Sequence, residues 1–139
     1  MGFTPELVSE IQARLDEAKK LYPAALSSDR KALLVDGSIG YGCYVSPDGD
    51  VYMETYDIGS DEPPVIDRSR LAQIAVLILG SRTMPKLAEL LPQRSPEAPA
   101  CAECNGTGRL HQELRQTFGN DWEGFLCDKC SGLGWIEFS

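Results

Sequence analysis

"CAECNGTG", residues 101–108, and "CDKCSGLG", residues 127–134, decide how this chain of 139 residues is read. Both stretches spell Cys-x-x-Cys-x-Gly-x-Gly, and together they use four of the five cysteines. A Cys-x-x-Cys turn brings two sulfurs to one metal ion and aims successive backbone amides at them, so one copy supplies half of a tetrahedral site. Two copies supply a whole one. Cys101, Cys104, Cys127 and Cys130 are therefore the expected ligands of one Zn2+ per chain, with 22 residues between the pairs. Gly106, Gly108, Gly132 and Gly134 fall where the backbone must turn tightly away from the metal. A redox dithiol would require neither the trailing glycines nor a second copy. Disulfides are not expected of a chain whose opening, "MGFTPEL", reads as no export signal. Iron or another metal is the remaining alternative. Four thiolates saturate zinc and leave no position for an activated water, which points to a structural centre.

The doubled motif resembles the cysteine-rich module of DnaJ-type co-chaperones, over residues 101 to about 136. In that family four copies make two zinc sites; two copies here imply a single site, with the family's fold and metal carried over to the four cysteines and four glycines named above. The chain has no J-domain and no His-Pro-Asp tripeptide, so the resemblance does not extend to stimulation of a chaperone ATPase. A tail of about 40 residues buries little core, so the ion is expected to supply most of its folding free energy.

Upstream of the motifs, "PQRSPEAPA" (92–100) has three prolines and no periodic pattern, which marks a linker over 93–100. The expected organisation is a domain over 1–92, the linker, and a zinc module over 101–139. In the first domain Thr4, Pro5 and Glu6 carry helix-start chemistry, and Leu7, Ile11, Leu15, Ala18 and Leu21 recur at spacings of three and four until Pro23. From Lys31 the period changes. "ALLVD" reads as a buried strand, and "YGCYVSPDGDVYMETYD" as two strands around a Pro-Asp-Gly turn, with Gly37, Gly40 and Gly42 marking an irregular first arm. An acidic loop, "GSDEPPV", precedes a helix capped by Asp67, running from about Arg68 to Leu79 and stopped by Gly80; "PKLAELL" reads as another helix. The fold class is thus α+β: a helix, a small antiparallel sheet and two further helices, followed by the zinc module. This order is loosely similar to small acidic bacterial immunity proteins of the SUKH type, without a shared motif.

The formal net charge of -8 disfavours nucleic acid, whose phosphates attract Lys and Arg. From Ser95 onward seven acidic residues face three basic ones, which extends the same argument to the module. The longest apolar run, "LAQIAVLIL" (71–79), is far short of the roughly 20 residues that span a bilayer, so no membrane role is expected and the location is read as cytoplasmic. Machinery for catalysis is sparse. The single histidine, His111, reads as an exposed polar residue, Glu54, Asp57, Asp61 and Glu62 as ordinary surface carboxylates, and "GSIGYG" lacks a phosphate-loop lysine. Cys43 reads as a small buried hydrophobe. The expected function is therefore non-enzymatic: binding another protein, for which a basic partner suits the charge. Within the insert, Leu110, Leu114 and Phe118 fall at helical spacing before Gly119, and Phe118 and Trp122 are the expected aromatic anchors for the partner. Chaperone-like or thiol-disulfide activity at the knuckles, and nucleic-acid binding through the zinc module, stand as the alternatives.

Overall fold

The computed structural model describes residues 3–21, 32–38, 40–57, 59–119 and 124–137. It divides into two compact units, Met1–Leu91 and Pro92–Ser139.

In the first unit helix α1 spans Pro5–Leu21. Thr4 caps it, its hydroxyl accepting from the Leu7 amide at 3.2 Å. Leu7, Ile11 and Leu15 are buried, whereas Leu21, which the same spacing placed on the stripe, is exposed. Strands β1 (Leu33–Ser38), β2 (Tyr41–Val45), β3 (Val51–Thr55) and β4 (Val65–Asp67) form one antiparallel sheet in the order β1-β2-β3-β4. The register shifts between Leu34 and Asp36 on β1, whereas β2, the arm that the glycines marked as irregular, pairs with β3 in unbroken register. The turn between β2 and β3 closes through the Gly49 amide on the Ser46 carbonyl (3.0 Å) and the Asp48 amide on the Ser46 hydroxyl (3.0 Å). Helix α2, Arg70–Gly80, packs on β1, β2 and β3, burying Ile74, Val76, Leu77 and Leu79.

Three local expectations change. Strand β4 lies in what read as a loop: its three residues, preceded by Pro63 and Pro64, are too few to show an alternating pattern, and β3 supplies the pairing. Ser69, not Asp67, is the N-cap of α2; its hydroxyl accepts from the Ala72 amide, while Asp67 accepts from the Ser69 amide at 2.8 Å. Gly80 is the last helical residue rather than a left-handed stop, and a Cβ there would meet Val35 Cγ2 at 2.8 Å and Leu87 Cδ1 at 2.9 Å. Its glycine serves close packing. The segment after it forms a 3-10 helix, Pro85–Leu90, which buries Leu87.

In the second unit a two-stranded ribbon pairs β5 (Arg109–Leu110) with β6 (Phe125–Leu126). A 3-10 turn, Gln112–Leu114, and the short helix α3, Arg115–Phe118, follow β5. Leu110 therefore lies on a strand, not on a helix with Leu114 and Phe118; His111, at φ 61, breaks the helical path between them.

Candidate metal centre

Each knuckle is a turn stitched by its own backbone. The Gly106 amide donates to the Cys101 carbonyl (3.0 Å), and the Thr107 and Leu133 amides donate to the carbonyls of Cys104 (3.1 Å) and Cys130 (3.2 Å). Asn105 and Ser131, the residues after the inner cysteines, take left-handed φ values of 54° and 55°. The chain then curls back, so that the amide of Gly108 donates to Cys104 Sγ at 3.2 Å and that of Gly134 to Cys130 Sγ at 3.3 Å.

The two knuckles also hold each other. Cys127 donates its amide to the Gly108 carbonyl and Cys101 its amide to the Gly134 carbonyl, both at 3.0 Å. Apart from the Gly106–Cys101 bond, these pairs map onto one another by a shift of 26 residues, the separation of Cys101 from Cys127. The same shift carries the β5–β6 pair Arg109↔Leu126 onto the bridge Trp135↔Ala100. It also carries Leu110↔Phe125 onto Ile136 and Pro99, where the Ile136 amide donates to the Pro99 carbonyl at 2.9 Å. The segment expected as a linker thus ends in the first knuckle's own lead-in: Ala98 is buried, and its carbonyl accepts from the Arg94 guanidinium at 3.1 Å. Gly108 and Gly134 sit at the crossing. With φ of 79° and 87°, each lies so close to the opposite knuckle that a Cβ would enter the carbonyl of Gly132 or Gly106. Positive φ and the absence of space both demand glycine.

The four sulfurs of Cys101, Cys104, Cys127 and Cys130 lie within 4.8 Å of one another, and all four residues are buried. Cys101 Sγ is 3.7 Å from Cys127 Sγ and Cys104 Sγ is 3.8 Å from Cys130 Sγ. A regular tetrahedron with metal–sulfur bonds of about 2.3 Å has edges of about 3.8 Å, so the donor set fits a four-coordinate thiophilic dication. Burial pushes the thiols of Cys127 and Cys130 up, Cys130 to about 12. At Cys104 burial acts in the same sense but is outweighed by the Gly108 amide and the thiols of Cys101, Cys130 and Cys127, which bring it down to about 7. Four thiolates this close together would need a counter-charge at their centre, which one dication would provide. Leu110, Leu133 and Ile136 pack around the cluster, half-buried.

The other residues singled out in the sequence lie elsewhere. Cys43 is fully buried on β2, in the first unit, and is not in the thiol cluster. His111 is exposed, 3.4 Å from Glu113 and edge-on to Phe125 at 5.9 Å. Phe118 is exposed, as is Phe125, which was not chosen as an anchor; Trp122 lies outside the described residues. Of the four carboxylates read as surface groups, Asp57, Asp61 and Glu62 are exposed, but Glu54 is buried and accepts from the Tyr56 hydroxyl at 2.5 Å. That hydroxyl also contacts the Tyr44 hydroxyl at 3.0 Å, and burial, then Glu54, then Tyr44 hold the Tyr56 phenol above its ordinary range. The spacing of Glu54 two residues before Tyr56, on one face of a strand, was the available signal.

No helix among the described residues is long and apolar enough to cross a membrane. Comparison of the chain with models of known protein families, with curated proteins and with solved structures finds no match.

Proposed function

We propose that Cys101, Cys104, Cys127 and Cys130 hold one structural zinc ion and that the protein acts without catalysis, by binding another protein as an adaptor or an immunity-type inhibitor. The observation that carries this reading is the closed donor set: four buried thiols at tetrahedral spacing saturate zinc and leave no site for substrate or activated water. Zinc is the redox-inert dication that tetrahedral four-thiolate sets hold in structural sites; iron accepts the same donors, and the metal analysis below separates the two. The pair of knuckles resembles half of the DnaJ-type cysteine-rich module. Four cysteines gathered as a metal site suit a reducing, cytoplasmic setting. Exposed Phe118 and Phe125, on the insert carried by the knuckles, are the aromatic anchors available to a partner, with Trp122 as a further one.

Native mass spectrometry with metal analysis tests the first half: one zinc per chain is expected, lost in Cys104→Ser and kept in Cys43→Ser. Disulfide-reductase and nuclease assays on zinc-loaded protein test the second. Robust turnover, abolished by a point change that leaves the fold intact, would replace the binding function with an enzymatic one.

A further inference from the structure

Residues 61–71 are exposed at every position, although they include β4 and the start of α2. Among the described residues β4 is the last strand of the sheet and pairs with β3 on one side only. Its apolar side chains Val65 and Ile66 are 67% and 47% exposed. An edge strand with an open backbone side and exposed apolar side chains is a template for an added strand. Pro63 and Pro64 end the pairing on one flank and the start of α2 at Arg70 ends it on the other, which gives an incoming segment a short, fixed frame.

Charge selects the occupant. Asp57, Asp61 and Glu62 lie exposed on the approach to the strand. Of the two cations that follow the strand, Arg68 is answered by Asp50 at 3.1 Å and lies over the Tyr52 ring at 4.8 Å, and Arg70 opens α2. Ile66 stands opposite Glu54 in the register, beside the Glu54–Tyr56 pair. The edge is therefore apolar and aromatic, bounded by carboxylates. We infer that β4 takes an extended segment of a partner protein in which apolar residues alternate with Lys or Arg. A second copy of this chain would bring the same acids and a further net charge of -8 to the edge, whereas a basic segment is attracted. The inference rests on the protein-binding function proposed above and adds a contact surface on the first unit to the aromatic anchors of the insert.

The test is a proton-nitrogen NMR titration of the zinc-loaded full chain with a capped heptapeptide alternating Lys or Arg with Val, and with its counterpart carrying Glu at the basic positions. The basic peptide should saturably move the amides of 65–67 and of their partners 53–55, and the acidic one should not. Ile66→Lys should weaken binding by about tenfold or more, with Val65→Lys as the second variant should the first disturb the remaining spectrum. The assignment to β4 is overturned by unaltered affinity in these variants, by no binding, by shifts spread evenly over the acidic surface, or by a concentration-dependent dimer lost in Ile66→Lys. Binding confined to the metal module would also remove β4 but leave the protein-binding function standing, and only turnover in the assays above would remove that function.

Discussion

At the centre of the first unit Leu7, Ile11, Ile74, Val45 and Leu87 are almost fully buried, while at the centre of the second the most buried side chains are four cysteines. The first unit spreads its core over a helix stripe, a sheet face and a second helix, so its stability is a sum of many apolar contacts. Among the described residues, the second surrounds its cysteines with only the half-buried Leu110, Leu133 and Ile136. It is cross-braced instead by amide–carbonyl bonds between knuckles, which fix geometry but carry a small net free energy each. The difference teaches where cohesion comes from: a short segment that cannot bury enough apolar area concentrates it in one polar centre.

The largest effect expected of this contrast is metal removal. Structural zinc sites contribute about 10–16 kcal/mol in apparent terms, so chelation should collapse the amide dispersion of 92–137 and leave the signals of 1–91 in place. A common collapse would mean that one cooperative core holds both units. The converse experiment removes apolar packing from the first unit. Ile11→Ala should cost about 2–5 kcal/mol in thermal or denaturant unfolding of that unit, with unchanged zinc affinity in a chelator competition; a parallel loss of affinity would break the comparison.

A finer test addresses the crossing of the knuckles. Gly108→Ala drives a Cβ into the opposite backbone at positive φ and should cost at least about 2 kcal/mol, read as roughly thirtyfold weaker zinc binding. Gly119→Ala is the comparison: at φ 106° and ψ 166° an alanine is strained by about 1–3 kcal/mol, but nothing lies within 4 Å of the added carbon, so zinc affinity should stay unchanged. Equal effects would show that the crossing has slack. The smallest effect belongs to the first unit's helix cap, where Ser69→Ala should cost about 1 kcal/mol and Asp67→Ala, one step outside the cap, less.

By itself the sequence determined whatever depends on neighbours along the chain. The Cys-x-x-Cys-x-Gly-x-Gly spacing set the ligand knuckles, the three-and-four spacing of Leu7, Ile11 and Leu15 set α1, and the Pro-Asp-Gly turn set the β2–β3 hairpin. Tertiary structure decided whatever depends on a remote backbone. Val65–Asp67 became a strand because β3 offered hydrogen-bond partners, and Gly80 is glycine because Val35 and Leu87 leave no room for a Cβ. Leu110 left the helical pattern of the insert because Phe125 pairs with it. Pro99 and Ala100 read as linker for the same reason: their partners, Ile136 and Trp135, lie more than thirty residues away. Projecting the 26-residue repeat back from Phe125–Leu126 would have placed a strand there. Exposure of Val65, Ile66 and Phe118 is likewise invisible in the chain, because an apolar side chain carries the same letter whether its neighbours cover it or leave it to a partner.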